Sequence, residues 1–358
     1  MKLLHVITTI DIGGAEKQLL ELCRAQVKVG HEVQVIYLKD SPRLKDEFVN
    51  SSVAVLEELD GKSVLRQPWI LRKIIQKQNL DIVHYHLPRA ELIGAIASLR
   101  GKYVITRHNT ERFIPSGPKW ISKCLSLLIT ARAGAVVAIS NSVGSFLRAS
   151  KEISPKVEFE VIPYGLSKPR HSNSPRKPQG THLVFGTLSR LTPQKDLPCL
   201  LKGFAIHLCN YPSDILKIAG IGELLSDLSK MASSLGISEK VEWLGKVGNS
   251  DEFLSNLDAF VLTSKYEGFG LVILESLRSK VPLLCSRSDA AQEILGEQYA
   301  GLFDIGDSES LARLMGQMRD EKFRTRLDTL GARVLPKYTI EASVERHDRL
   351  YHSVITRI

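Results

Sequence analysis

The amino-acid sequence predicts an α/β protein of two consecutive doubly wound, Rossmann-like domains. Short apolar runs alternate with helical periodicity over residues 2–162, the pattern stops in a polar, proline-rich stretch, and it restarts after residue 180. The length of 358 residues supports the same division, since single cores stop growing at about 250–300 residues.

In the first half, strands are expected at 2–9, 32–38, 53–56, 80–86, 102–107, 135–139 and 157–162, with helices at 16–29, 68–78, 89–99, 119–133 and 141–149. Such alternation implies βαβ units and a parallel sheet covered on both faces. Residues 167–180 hold three prolines and no large apolar side chain, which is linker composition. A strand at 181–188 and a helix at 197–208 reopen the pattern, followed by strands at 216–220, 241–244, 259–263, 282–285 and 301–303. Helical periodicity interrupted near Pro336 closes the chain. The expected domains are therefore 1–165, a linker at 166–180, 181–335, and a crossover helix at 336–358. In open parallel sheets ligands sit beyond the strands' carboxyl ends, so two facing domains would share one cleft.

Five scattered cysteines, odd in number and without a Cys-x-x-Cys pair, argue against a disulfide framework or a zinc site. The N-terminal apolar run is short and interrupted by His5, Thr8 and Thr9, so it reads as a strand and not a signal peptide. No run approaches the roughly 20 apolar residues of a membrane span. The expected location is the cytoplasm, with peripheral contact at the inner face of the plasma membrane left open. Charge is uneven: residues 1–165 carry 23 Lys+Arg against 16 Asp+Glu, most of the net +9. A basic half suits an anionic partner such as lipid head groups, a lipid-linked phosphate or nucleic acid.

Residues 264–280 read as strand end, glycine loop and helix, with Glu267 and Glu275 on either side of Gly268-Phe269-Gly270. That layout aims free N–H groups and a helix N-terminus at an anion. The two carboxylates would repel the anion and suit neutral hydroxyls, as on a sugar or a ribose. Arg190 and Lys195, in the loop after the 181–188 strand, bring two cations to the sheet's carboxyl edge, where they could neutralise a diphosphate. Gly13-Gly14 follow the first strand and permit close backbone approach to a ligand. They do not complete the Gly-x-Gly-x-x-Gly spacing, nor does 219–223, which disfavours a dinucleotide-dependent dehydrogenase. His84 and His86 share one face at the end of a strand, and His108 ends another; all three are candidates for substrate contact. No third ligand at matching spacing accompanies them, so no metal is expected.

In their order and spacing these motifs resemble glycosyltransferase family 4, retaining enzymes of the two-domain GT-B architecture. The resemblance runs through 13–16, 81–86, 106–108, 138–141, 161–165, the Arg190/Lys195 loop, 241–245 and the Glu267-x7-Glu275 pair. It implies that the Gly13-Gly14 loop closes on the donor and faces the acceptor, and that His108 lies near the anomeric bond. It implies that Arg190 and Lys195 hold the diphosphate and that Glu267 contacts the donor sugar. Gly268, Phe269, Gly270 and Leu271 would supply backbone near sugar and phosphate, Glu275 would bind the ribose, and Gly245 to Val247 would border the base. Glu16, His84, His86 and Arg107 are the acceptor-side candidates. Catalysis would rest on His108, Glu267, Arg190 and Lys195, with no cofactor beyond the nucleotide-sugar donor, more commonly uridine-linked. Two departures stand out: Tyr164 where the family often has Asn, and Ala290-Ala291 where it often has glycines.

The implied reaction is a metal-independent, retaining hexosyl transfer to a glycan or lipid-linked hydroxyl in bacterial cell-surface polysaccharide or lipopolysaccharide assembly. A double displacement needs a carboxylate against the anomeric carbon, and with Glu267 at sugar hydroxyls none is assigned that role; the resemblance implies reaction on one face, with the departing phosphate itself taking the acceptor's proton. Helix 119–133 carries Trp120, Cys124, Leu127, Leu128 and Ala131 on one stripe with flanking cations. The stripe is expected to pack in the core, leaving the basic face for lipid. The competing readings are an inactive nucleotide-sugar-binding relative, an epimerase or phosphorylase of similar architecture, and a nucleic-acid binder. The last lacks interleaved aromatics.

Overall fold

The computed structural model describes residues 1–39, 42–98, 101–167 and 182–357. It separates into two compact units, Met1–Ser167 with Tyr338–Ile358, and Lys168–Lys337. Most of the expected linker, from 168 on, lies outside the described residues.

The first unit runs β1 (Lys2–Ile7), α1 (Gly14–Lys28), β2 (Glu32–Tyr37), α2 (Lys45–Val49), β3 (Ala54–Leu56), α3 (Gln67–Gln78), β4 (Ile82–His86), α4 (Pro88–Ala97), β5 (Tyr103–Arg107), α5 (Lys119–Thr130), β6 (Ala135–Ala138), α6 (Asn141–Ala149) and β7 (Glu158–Val161). Its seven strands are all parallel in the order β3-β2-β1-β4-β5-β6-β7. The second unit runs β8 (Val184–Leu188), α7 (Leu197–Leu208), β9 (Ile215–Ala219), α8 (Leu225–Ser234), β10 (Val241–Gly245), α9 (Ser250–Ser255), β11 (Ala259–Leu262), α10 (Leu271–Arg278), β12 (Leu283–Ser286), α11 (Asp289–Leu295), β13 (Leu302–Phe303), α12 (Ser308–Gln317) and α13 (Glu321–Ala332). Its parallel order is β10-β9-β8-β11-β12-β13. The last helix, α14 (Ile340–Thr356), returns to the first unit and packs on α1.

Central strands buried on both faces explain the near-continuous apolar runs of β1, β6 and β11. One face of the first sheet packs Leu3, Ile7, Val35, Ile82 and Val104 against α1 and Leu350, Tyr351 and Val354 of α14. The other packs Val6, Tyr85 and Ile105 against α3, α4 and α5. Ser140, Asn249, Ser288 and Thr339 cap the helices that follow them, and Pro68 and Pro88 occupy first turns.

The core placement expected for the α5 stripe is overturned. Trp120 is 69% exposed and Leu128 65%, Cys124 and Ala131 are exposed, and Leu127 is half-buried. The face turned inward is Ser122, Ser126, Ile129 and Thr130. The cause is what lies beneath. Ser122 Oγ donates to Glu152 Oε1 at 2.9 Å, Ser126 Oγ to the Glu152 carbonyl at 2.6 Å, and Arg107 Nη2 to Ser126 Oγ at 2.8 Å. A buried polar floor demands polar partners, so small hydroxyls took the inner face.

Candidate functional site

Both sheets reverse their winding at one point, between β1 and β4 in the first unit and between β8 and β11 in the second. Ligand crevices form there, beyond the strands' carboxyl ends. Each unit places a polar cluster at that point.

In the second unit the loops leaving β8 and β11 are stitched together. Lys265 N–H donates to the Gln194 carbonyl at 2.9 Å, Gln194 Nε2 to the Tyr266 carbonyl at 2.8 Å, and Thr263 Oγ1 to the Lys195 carbonyl at 2.7 Å. This brings Lys195 Nζ to 2.6 Å from Glu267 Oε1, which also accepts from Ser264 Oγ at 2.6 Å. Both charged side chains are largely sequestered, 13% and 9% exposed. Lys195 and Glu267, expected to serve different parts of a ligand, thus compensate one another directly. Ser264, which sequence reasoning missed, orients the carboxylate.

Gly270 caps α10 with φ +83°, a conformation that favours glycine, and the Gly268-Phe269-Gly270 loop runs straight into Leu271 at the helix N-terminus. Glu275, half-buried, stands one turn further along α10. Arg190 is exposed in the loop after β8. That loop is held by Ser189 N–H donating to the Ala219 carbonyl and Leu191 N–H to the Ile221 carbonyl, each at 3.0 Å. Gly220 makes the close approach possible: a Cβ there would lie 1.8 Å from the Ser189 carbonyl oxygen, and its φ is +141°. Gly220 N–H also donates to the Gly245 carbonyl at 2.6 Å, joining the base-edge candidate Gly245 to the same framework; Val247 is half-buried two residues beyond it. Ala290 and Ala291 are buried in α11, whose Ser288 cap accepts from Ala291 N–H.

In the first unit the polar cluster is a hydrogen-bonded chain of histidines on the α1/α14 side of the sheet. His5 on β1 pairs in register with His84 on β4, and period-two geometry sets His86 and His108 along the same face. His5 Nε2 lies 2.8 Å from Gln26 Oε1, His5 Nδ1 3.0 Å from His86 Nε2, and His86 Nδ1 3.3 Å from His108 Nε2. His108 Nδ1 meets the Tyr164 hydroxyl. Gln26 Nε2 is turned to the Tyr351 hydroxyl, so Gln26 Oε1 accepts and His5 Nε2 carries the proton. One proton per neutral ring then makes every link run one way, from the Tyr164 O–H through His108 and His86 to His5.

Burial holds these rings neutral. It lowers His5 and His347 to about 4 and His108 to about 3, and pushes His84 and His86 well below the ordinary range, with neighbouring histidines adding to the effect. Beside the chain a cavity of about 20 Å³, lined by Gln18, His86, Thr106, His108, Tyr164 and His347, has room for one water molecule.

The acceptor-side candidates separate. His84 is 1% exposed, with Nδ1 on the Tyr351 hydroxyl and Nε2 on Thr106, each at 2.7 Å, and His86 is 2% exposed within the chain. His86 supports His108 from behind, His84 lies against the His86 ring, and neither faces solvent. Arg107 points to the opposite face of β5, where it is buried against Glu91, 2.9 Å away, and lies over the Phe113 ring. Burial raises Glu91 to about 7 against the opposing pull of Arg107. Glu16, half-buried at the start of α1, accepts from Thr9 Oγ1 at 3.2 Å and folds over Gly13, beside Gly14.

A third histidine near His84 and His86, absent from the expected spacing, is supplied by His5 across strands: ligand atoms of the three lie within 4.8 Å of one another. Each of their ring nitrogens already has a protein partner, so a metal ion would have to displace that network.

Comparison with known proteins agrees with this layout. Residues 12–167 match the family described as Glycosyltransferase Family 4, and residues 168–332 match Glycosyl transferases group 1. The chain belongs to these glycosyltransferases. It is 34% identical over 42% of its length to the lipopolysaccharide core biosynthesis glycosyltransferase LpsE of Rhizobium meliloti, spanning 44% of that relative. It is 23% identical to UDP-Gal:alpha-D-GlcNAc-diphosphoundecaprenol alpha-1,3-galactosyltransferase of Escherichia coli, over 70% of each chain. Its fold matches that of Anabaena Alr3699/HepE, solved in complex with UDP-glucose, at a TM-score of 0.81 and 21% identity over the whole of both chains. The GT-B glycosyltransferase thus carries two parallel-sheet, Rossmann-like domains.

Proposed function

We propose that this glycosyltransferase moves a hexose from a UDP-sugar, with retention, to a hydroxyl of a lipid-linked glycan during cell-surface polysaccharide assembly. The observation that carries the reading is the sequestered Lys195–Glu267 pair at the switch point of the second sheet, beside the exposed Arg190 and the N-terminus of α10. Cations, backbone N–H groups and carboxylates are gathered there in the mixture that a sugar diphosphate requires. The relatives named for UDP-galactose transfer to a diphosphoundecaprenol-linked sugar, and for lipopolysaccharide core synthesis, support the donor and acceptor classes.

In this reading Arg190 and Lys195 take up charge on the diphosphate as the bond from the anomeric carbon to phosphate oxygen breaks. Glu267 releases part of its bond to Lys195 and accepts from sugar hydroxyls. Glu275 accepts from the ribose, and the Gly245 to Val247 edge borders the uracil. His108, neutral and held at both ring nitrogens by Tyr164 and His86, meets the sugar by exchanging one of those bonds for a sugar hydroxyl, with Gly13, Gly14 and Glu16 toward the acceptor. The acceptor oxygen bonds to the anomeric carbon on the face the phosphate leaves, and its proton passes to the departing phosphate oxygen. No metal is assigned a role. We place the enzyme in the cytoplasm, in peripheral contact with the membrane that holds its acceptor.

Titration calorimetry with UDP, GDP and ADP tests the donor half. UDP should bind most tightly, and Lys195→Ala should weaken it by at least about tenfold. Equal or absent binding of all three nucleotides would overturn the assignment. The anomeric configuration of the product, read by NMR, tests retention.

A further inference from the structure

α5 is an amphipathic helix set inside out, and the two helices beside it, although they bury apolar side chains in the core, also expose large ones. α3, α4 and α5 lie side by side on one face of the first sheet, with α4 packed between the others. Trp69 of α3 is 66% exposed, Ile96 of α4 52% and Trp120 of α5 69%, while Leu92 and Leu128 extend the apolar surface on α4 and α5. Apolar side chains exposed in rows at helical spacing, Leu92/Ile96 and Trp120/Cys124/Leu128, form a patch and not a scatter.

Charge identifies what covers it. The three helices contain six lysines and arginines and one acid, Glu91, which is buried against Arg107. Lys73, Lys77 and Lys119 are exposed on the same helices as the two tryptophans, and Lys123 is half-buried. On the opposite face of the sheet α1, α2 and α14 together carry seven acids and six bases. The basic excess of the N-terminal half is therefore concentrated on the face that also exposes its apolar side chains. A protein partner's interface tends to deplete lysine. A surface that combines lysines with outward tryptophan and leucine suits an anionic bilayer, where the rings enter the head-group region and the ammonium groups meet lipid phosphates. Among the described residues no helix is long and apolar enough to cross a membrane, so contact is at the surface.

We propose that the outer face of α3, α4 and α5 is the membrane-docking surface of this enzyme, with Trp69, Trp120 and Leu128 as the inserting residues and the α3 and α5 lysines as the anionic-lipid contacts. The inference deepens the functional reading above, since a lipid-linked acceptor explains why such a surface exists, but its geometry stands independently of the donor site.

The test is co-sedimentation of the full chain with vesicles of phosphatidylcholine alone or of phosphatidylcholine and phosphatidylglycerol at about 7:3. Binding is expected to the anionic vesicles at low salt, with a blue shift of tryptophan emission, and to fall steeply at about 0.5 M salt. Trp120→Ser/Leu128→Ser and Lys119→Glu/Lys123→Glu should each weaken partitioning by about tenfold or more. Lys119, Trp120 and Leu128 are exposed and Lys123 is half-buried, and an unchanged urea midpoint of the first unit in both variants checks that its fold is intact. Wild-type protein left in the supernatant with anionic vesicles, or variants that partition equally, would overturn the proposal. So would a dimer in the absence of lipid that Trp120→Ser/Leu128→Ser abolishes, because the face would then be covered by a second copy. Loss of UDP binding by the wild type would strike at the donor assignment and leave the surface standing.

Discussion

Acidification should unfold the first unit well before its carboxylates are protonated. His5 and His347 are held at about 4 and His108 at about 3, against about 6.5 in an unfolded chain. Above pH 6.5 both states are neutral and the histidines contribute nothing to the pH dependence. Below it the unfolded chain binds protons that the folded one refuses, so stability falls as pH falls, down to the folded values. From pH 7 to 5 each such histidine costs about 2 kcal/mol, and the three together about 6 kcal/mol. His84 and His86 act in the same direction. The nearest opposing charges are Asp348, which raises His347, and Glu16, which acts on Tyr164. A domain of ordinary stability has about 5–15 kcal/mol to lose, so the transition should fall between about pH 5 and 6. Urea unfolding followed by pulse-labelling hydrogen exchange separates the units, because peptides of residues 1–167 report the first and those of 182–337 the second. His5→Asn keeps an acceptor for His86 and should reduce proton uptake on unfolding by about one. A first-unit midpoint that is flat from pH 7.5 to 5.5, or that rises on acidification, would refute a buried neutral network.

The donor site and the frame around it give three further expectations. Lys195→Ala and Glu267→Gln should each lower kcat by about a hundredfold or more while far-UV circular dichroism stays native, since each removes a group that meets developing charge or the sugar; near-wild-type turnover in both would discard the assignment. Glu275→Gln should raise KM for the donor and leave kcat nearly unchanged, the signature of lost uniform binding in steady-state kinetics. Arg107→Ala should destabilise the first unit by about 3–5 kcal/mol in chemical denaturation, because it strands Glu91 in the core. Adding Glu91→Gln should recover part of that loss.

Strand and helix positions were legible because their periodicity is local. The run 197–208 reads as a helix from its apolar spacing, and α7 spans those residues; the brief α2 escaped because five residues carry too little periodicity. The loops bearing Lys195 and Glu267 were legible as polar interruptions after apolar strands. Their mutual ion pair was not, since it depends on β8 lying next to β11, a neighbour relation that no local spacing encodes. His5 was hidden for the same reason: it is a polar residue in an apolar strand until the β1–β4 register sets it against His84. α5 shows the limit of hydrophobic patterning most sharply. A periodic apolar stripe establishes that a helix has two faces, but which face turns inward is decided by what the sheet presents. Here Arg107 on β5 and Glu152 beyond α6 form a charged floor that apolar side chains could not satisfy. Ser122 and Ser126 therefore went in, and Trp120 and Leu128 were left out. The buried ion pair and the exposed tryptophan follow from one arrangement, so replacing the floor with apolar residues should favour a rotated α5 that withdraws Trp120 from solvent.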